Sequence, residues 1–178
     1  YPFLMGLAEF DPIELNLNLR GNPESLGDAV PRRFPLALSG GREIPLRNGS
    51  GRLELARQVA SHPITARVAA NRVWMHLFGE GVVRTPSNFG IAGDRPSNAP
   101  LVDYLAARLV GNGYSVKRLI AEIMASSAYQ RSAASNEAND TIDGANREFW
   151  RQNRRRLEAE PLRDAMLAAA DLLDRTVG

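Results

Sequence analysis

The chain has 178 residues, of which 44% are hydrophobic and 24% charged, and its formal net charge is only +2. This length and balance are typical of a soluble globular protein with one main domain. No transmembrane helix is predicted in the chain, because no apolar run approaches the ~20 residues that span a bilayer. There is no cysteine, which excludes disulfides and thiolate metal sites. The start at Tyr1 rather than Met predicts a piece of a longer protein.

Residues 1–50 are rich in proline and glycine and predict an irregular N-terminal extension that holds one short strand near residues 13–20. Four apolar residues alternate there with polar ones, at the period of a half-buried strand: Ile13, Leu15, Leu17 and Leu19. No strong partner strand follows, although residues 81–85 are one candidate. We therefore expect the partner of this strand to lie in a neighbouring region outside the chain.

Residues 51–178 predict a helical domain of five or six helices packed as an irregular bundle, so the fold class is mainly α. The organising helix begins at Pro63, which suits a first helical turn, and ends at Gly79, which suits a left-handed stop. Its core face is predicted from the helical period and comprises Ala66, Ala69, Ala70, Val73, Trp74, Leu77 and Phe78.

Further helices are predicted on both sides of this one. They cover residues 51–60, residues 101–110, a segment capped by Ser115, a segment containing Phe149 and Trp150, and a last helix from about Pro161. The last helix is expected to bury Leu162, Ala165, Met166, Ala169, Leu172 and Leu173. Residues 132–144 have few apolar anchors and predict a mobile loop.

Two polar residues of the organising helix are candidates for a site. Arg67 falls inside the apolar arc, so its guanidinium must reach solvent or meet a carboxylate, because an unpaired buried charge costs several kcal/mol. Asn71 lies one turn later and is a candidate member of the same polar cluster. A structural ion pair and a ligand contact both remain open for Arg67, and the ion pair is favoured.

The sequence contains no recognisable catalytic motif. The two histidines, His62 and His76, are separated by a helix and have no carboxylates at metal-ligand spacing, so no metal site is predicted. Residues 79–84 resemble a dinucleotide-binding loop for three positions, but Arg84 stands where glycine is required and the segment follows a helix. No nucleophile elbow or phosphate-binding loop occurs, and no catalytic residue is assigned.

The strongest charge feature is an arginine run near the C-terminus. Its members are Arg147, Arg151, Arg154, Arg155 and Arg156, with Glu148 as the one acidic residue among them. In a helix, Arg147, Arg151 and Arg155 would share one face beside Trp150, a surface suited to a sulfated glycan or a nucleic acid. The alternative is pairing with the carboxylates that follow at Glu158, Glu160 and Asp164, and it is favoured.

A second polar candidate lies in the turn after Val83. It comprises Arg84, Thr85, Ser87 and Asn88, and packing could add Tyr129, Gln130 and Arg131 from another helix end. Together these side chains would form a small polar pocket. The alternative is that they cap helix ends and satisfy buried backbone groups.

Several motifs in order carry a resemblance to a known family. They are Arg20-Gly21-Asn22-Pro23, Gly51-Arg52-Leu53-Glu54-Leu55-Ala56, Asn71-Arg72-Val73-Trp74, the run from Phe78 through Gly79-Glu80-Gly81 to Gly90, Ser126-Ser127-Ala128-Tyr129-Gln130-Arg131, and Asn153-Arg154-Arg155-Arg156-Leu157-Glu158-Ala159-Glu160. From about Arg20 onward the chain resembles the C-terminal domain of unknown function, catalogue number 1553, of large planctomycete-type proteins. It departs from the family pattern at Gln58, where an aromatic residue is usual, and at Pro161.

The resemblance implies a large exported or cell-envelope protein, periplasmic or secreted, whose haem, if any, sits in a separate upstream cytochrome-c-like domain. It implies no cofactor in this chain and no established catalytic residue. We therefore expect an accessory module whose partners are neighbouring domains of the same polypeptide. Two alternatives remain: binding of a polyanion through the arginine run, and part of a hydrolytic or redox-linked enzyme completed by other domains. The sequence leaves the oligomeric state open.

Overall fold

A computed structural model of the protein describes residues 12–176 and has a mainly α fold. In chain order the elements are β1 (Leu15–Asn18), β2 (Leu26–Val30), α1 (Arg52–Ser61), α2 (Pro63–Phe78), α3 (Ala99–Gly111), α4 (Val116–Met124), α5 (Glu137–Asp143) and α6 (Ala159–Ala169). The chain forms two compact units, Tyr1–Thr65 and Ala66–Gly178. Residues 1–11 of the predicted extension, and residues 177–178, lie outside the described part.

The predicted strand exists, but the expectation that its partner lies outside the chain was wrong. β1 pairs with β2 in an antiparallel hairpin, with Leu15 opposite Val30 and Asn18 opposite Leu26, so the partner lies within the chain. Residues 81–85 form no strand. The expectation of a half-buried strand was also wrong, because no residue of β1 is buried and Leu15 is 72% exposed.

The rest of the first unit is a segment of mostly irregular backbone that is hydrogen-bonded to α1. Phe34 is buried, and residues Arg33 and Pro45 form an isolated antiparallel bridge beside it. The carboxylate of Glu54 accepts hydrogen bonds from the backbone N–H groups of Arg47 and Asn48, which fixes the chain where it enters α1. These local bonds hold a segment that has little regular structure.

His62 joins α1 to α2 through both of its ring nitrogens. Its Nδ1 accepts a hydrogen bond from the backbone N–H of Ile64, so its Nε2 is the nitrogen that donates, to the carbonyl of Leu38 at 2.9 Å. Pro63 follows as the first residue of α2, where its missing N–H leaves no bond unmade. His62 therefore caps a helix.

The second unit is built on the predicted face of α2. Ala66, Ala70, Trp74 and Phe78 are buried there, which confirms the helical period of the apolar residues. The Trp74 and Phe78 rings stack with centroids 4.0 Å apart, and Phe149 meets both edge-on, at 5.2 and 5.4 Å. Such aromatic pairs contribute about 0.5–1.5 kcal/mol each beyond their buried area, so this cluster is the centre of the core.

The exit from α2 is a tight turn that only glycine fits. Gly79 has φ +87° and ends the helix as predicted, with its N–H bonded to the carbonyl of Met75 at 2.7 Å. At Gly81 a Cβ would lie 2.5 Å from the Val83 carbonyl oxygen and 2.7 Å from the amide nitrogen of Asn71. The chain therefore passes directly over the buried side chain of Asn71.

Helices α3 and α4 complete the core of this unit. Asn98 caps α3 and Ser115 caps α4, each by accepting a backbone hydrogen bond from the residue three positions on. Leu105, Leu109 and Leu119 are buried between them and belong to the same hydrophobic core. Of the described residues, none belongs to a helix long and apolar enough to cross a membrane.

Three expectations for the C-terminal third were wrong. Within the predicted loop over residues 132–144, α5 forms because Asn136 caps it through a hydrogen bond from the N–H of Asn139. Phe149 and Trp150 lie in irregular backbone rather than in a helix. The last helix, α6, exists but buries none of its residues, and Met166 on its apolar face is 66% exposed.

Candidate functional site

Asn146 organises the segment that carries the arginine run. Its side chain is 1% exposed and donates to the carbonyl of Arg151 and to Oδ1 of Asn153, both at 2.9 Å. Its own Oδ1 accepts from the N–H of Arg151, so all three bonds close one loop, residues 146–153. Asn146 has φ +50°, a conformation that asparagine tolerates better than most residues. The loop is therefore folded around a single amide.

This 146–153 loop is anchored in the core rather than lying on it. Phe149 has φ +52° yet is buried in the aromatic cluster, and Arg131 donates to its carbonyl at 2.9 Å. Asn153 donates to the carbonyl of Phe78 at 3.0 Å, at the end of α2. A helix through Phe149 would lose these long-range bonds, so tertiary contacts override the helical spacing of the arginines.

Asp143 fixes the start of the loop from the end of α5. Burial acts to raise the pKa of this carboxyl, but hydrogen bonds from the backbone N–H groups of Glu148 and Arg147, at 2.9 and 2.8 Å, together with the nearby charges of Arg84 and Arg147, lower it overall. The carbonyl of Asp143 also accepts from the Trp150 indole N–H. Its ionised form is thus part of the fold.

The loop and the end of α2 enclose a cleft of about 460 Å³, which we name the basic cleft. Its walls are formed by Gly79, Glu80, Ala133, Ser135, Arg151, Asn153, Arg154 and Arg155. Three of the five predicted arginines therefore meet around one open space, although by a loop and not by a helix. A volume of ~300–1,000 Å³ is usual for small-molecule sites.

Arg155 is held against the C-terminus of α2. Its guanidinium donates to the carbonyls of His76 and Leu77, at 2.5 and 3.4 Å, where the helix leaves carbonyl groups without intrahelical partners. The stem of Arg155 also covers Gly79, because a Cβ on that glycine would lie 3.1 Å from its Cδ. The hydrogen bonds of Arg155 therefore stabilise the end of α2, and its positive charge also lies in the wall of the cleft.

Arg151 and Arg154 differ in how far their charge is compensated. The Nε of Arg151 is 3.9 Å from Asp140, beyond hydrogen-bond distance, and this buried nitrogen has no acceptor among residues 12–176. The Arg151 guanidinium also lies 5.1 Å from the Trp150 ring, in cation–π geometry, and reaches the carbonyl of Gly144. Arg154 is exposed and makes no hydrogen bond or ion pair within the described residues.

The remaining candidates on α2 have structural partners. Arg67 forms an ion pair with Asp103 on α3 at 2.8 Å, the expected carboxylate contact. Asn71 is buried and does not join it: its amide donates to the carbonyl of Val83 and accepts from the N–H of Val83. Of the arginine run, Arg147 is exposed, and in the described part of the chain only its backbone N–H is bonded, to Asp143.

The polar turn after Val83 has partners both within the turn and outside it. Arg84 pairs with Glu80 and donates to the carbonyl of Ala145, Asn88 accepts from the N–H of Gly90, and Ser87 is exposed. Tyr129 and Arg131 make their contacts elsewhere, with the Phe78 ring and the Phe149 carbonyl. Among the described residues, no hydrogen bond joins the two groups into the polar pocket that the sequence suggested.

Sequence reasoning missed the residues that shape the cleft. Gly79, Glu80 and Ser135 were not proposed as lining residues, and Asn146 and Asn153 were not singled out. The available signal was the spacing of the two asparagines around the buried aromatic Phe149, since asparagine favours turns with positive φ. In the part of the chain that the structure describes, no group of three His, Cys, Asp or Glu side chains is arranged to hold a metal ion.

Comparison with known proteins identifies one family. The family model described as "PSD1: Protein of unknown function (DUF1553)" matches residues 51–178, a shorter stretch than the resemblance from Arg20 suggested. No curated protein and no solved structure matches the chain.

Proposed function

Because the chain belongs to the DUF1553 family, whose description assigns no function, we propose from its exposed surfaces that it is a non-catalytic accessory module that docks onto neighbouring domains of the same polypeptide. The observation that carries this proposal is the apolar face of the β1–β2 hairpin. Ile13 is 76% exposed and Leu15 72% exposed, and Val30 lies directly opposite Leu15 on the same face. Contiguous exposed apolar surface of this kind usually marks a protein interface.

The hairpin face continues into a groove of about 550 Å³. Its lining is mostly apolar and comprises Ile13, Leu15, Val30, Pro31, Arg32, Arg33, Phe34, Pro35 and Leu36. Two arginines border it, and both are paired with carboxylates, Arg32 with Glu14 and Arg33 with Glu43. The groove therefore offers apolar contact without a free charge, which favours an apolar side chain of a partner domain over a charged ligand.

A two-stranded hairpin with both faces exposed is itself an argument for a partner. An isolated hairpin is marginally stable in water, and three strands or packing against another element are normally needed. A docked domain would supply that packing.

We further propose that residues 51–178 form the helical domain proper, with the hairpin region as its attachment; the span of the family match supports this division.

The test is photo-crosslinking in the full polypeptide that contains this chain. A benzophenone amino acid replaces Leu15, on the apolar face, and in a matched control it replaces Asn18, which points to the opposite face of β1. We expect crosslinks from position 15 to a separate folded domain of the same polypeptide and few from position 18. Equal yields from both positions, or products with other chains only, would contradict the proposal.

A further inference from the structure

We propose that the basic cleft is a binding site for a small organic anion and that Arg154 donates to its oxyanion group. This site is separate from the apolar face of the hairpin and does not depend on the docking proposed there. The proposal stands on the arrangement of charge and donors in the cleft, taken in three steps.

The first step concerns charge. Two of the three guanidinium groups in the cleft, those of Arg154 and Arg155, have no carboxylate partner among the described residues. The third, on Arg151, lies 3.9 Å from Asp140, so its charge is compensated only at a distance. Glu80, the one acidic residue in the wall, is already paired with Arg84 at 2.6 Å. The cleft therefore keeps net positive charge.

The second step concerns free donors. Arg155 uses its guanidinium on the carbonyls of His76 and Leu77, and Asn153 uses its amide on Phe78 and Asn146. Among these polar side chains, Arg154 alone has no donor bonded to any residue that the structure describes. A guanidinium presents two parallel N–H groups to one carboxylate, sulfate or phosphate, so the exposed Arg154 is suited to bind such a group in a bidentate way.

The third step concerns size and rigidity. The cleft measures about 460 Å³, many times the ~30 Å³ of a water molecule, so it has room for a body attached to the oxyanion. Its arginines stand on a loop fixed by the buried Asn146 and Phe149. A preorganised wall lowers the entropic cost of binding. Arg154 is the one guanidinium of this wall whose donors are not used by the described residues, which favours a ligand with one anionic group.

The experiment is a titration of the whole chain at low salt with glucuronate, glucose 6-sulfate and glucose 6-phosphate, and with uncharged glucose for comparison. Binding is followed by isothermal calorimetry and by NMR shifts of the loop amides. We expect saturable binding of at least one anionic sugar, none of glucose, and the largest shifts at residues 151–155. The strongest of the three probes identifies whether the oxyanion is a carboxylate, a sulfate or a phosphate.

Two variants separate a site from general attraction. Arg154→Gln is expected to weaken binding about tenfold, since a hydrogen bond to a charged group is worth roughly this factor. Arg163→Gln removes the same charge from exposed α6 and is expected to leave binding within twofold. Equal losses in both variants, or no saturable binding of any probe, would overturn the proposal. Binding of heparin and DNA alone, with matching steep salt dependence, would also overturn it in favour of nonspecific polyanion attraction.

Discussion

Asn146 shows how one buried amide determines a loop. Its side chain makes three hydrogen bonds within the 146–153 loop, and each buried bond contributes about 1 kcal/mol. We expect Asn146→Ala to lower the free energy of unfolding by about 2–3 kcal/mol, because it also places alanine at φ +50°. Urea unfolding measures this. Asn139→Ala, at an exposed position of α5, is the control and should change stability by no more than about 0.5 kcal/mol.

Asp143 should make the stability depend on pH in one direction. Its folded pKa lies below the ordinary value of 3.8, because the backbone N–H groups of Glu148 and Arg147 bind the ionised carboxylate despite its partial burial. The stability it contributes is therefore complete above the unfolded pKa and is lost as the pH falls through the folded pKa.

The measurement compares wild type with Asp143→Asn from pH 6 to pH 3. Since asparagine accepts with one oxygen instead of two, we expect a deficit of about 1–2 kcal/mol at pH 6. This deficit should shrink as the pH falls below the ordinary carboxyl pKa of 3.8 and through the lower folded pKa of wild-type Asp143. A deficit that stays constant to pH 3 would mean that the carboxylate charge does not support the loop. Asp164→Asn, on exposed α6, provides a comparison with little expected effect.

At the scale of elements, the turn after α2 depends on the absence of a side chain at Gly81. A Cβ there would lie 2.5 Å from the Val83 carbonyl oxygen and 2.7 Å from Asn71, both of which are buried. We expect Gly81→Ala to destabilise the protein by roughly 2–4 kcal/mol, through loss of the Asn71–Val83 bonds. The readout is the midpoint of thermal unfolding.

Gly111→Ala is the matched control for this substitution. Gly111 is the last residue of α3, and a Cβ built there meets nothing within 4 Å. Alanine favours the helix over glycine by about 0.5–1 kcal/mol, so this variant should be as stable as wild type or slightly more so. If both variants behaved alike, the crowding at Gly81 would have no energetic consequence.

The elements also show which structural features can be predicted from sequence and which cannot. The apolar period of α2 and the cap at Ser115 predict their helices correctly, because local propensity and burial agree there. The arginine run failed as a helix because its period of four belongs to charged residues, whose spacing gains little energy. Its conformation is decided by the distant bonds of Asn146, Phe149 and Asn153, which no local pattern contains.

A similar limit applies to contacts between helices. Glu122 on α4 accepts from Tyr104 at 2.6 Å and from Arg108 at 2.8 Å, and both of these partners lie on α3, distant in sequence. The Tyr104 hydrogen bond, and then the Arg108 contacts, hold the pKa of Glu122 below its ordinary value despite partial burial. The apolar residues on one side of α6 likewise predict a buried face. The structure buries none of them, because a periodic pattern does not specify which element packs against the helix.

For the whole molecule, burial should determine which helices resist opening. α2 buries five of its residues, three of them in the aromatic core, whereas α6 buries none of its eleven. Isolated helices shorter than ~12–15 residues are marginal in water. We therefore expect the amides of α2 to exchange with solvent deuterium slowest, and those of α6 almost as fast as in an unfolded chain.

Helix α4 makes this a test of burial rather than of length. It has nine residues, fewer than α6, but it buries Leu119 and Ile123. If packing governs exchange, α4 is protected and α6 is not; if length governs it, α6 is the better protected of the two. The same exchange experiment on the full polypeptide extends the docking proposal, because new protection of α6 there would show that a neighbouring domain covers its apolar face. Unchanged rapid exchange would leave the hairpin as the docking surface and α6 outside it.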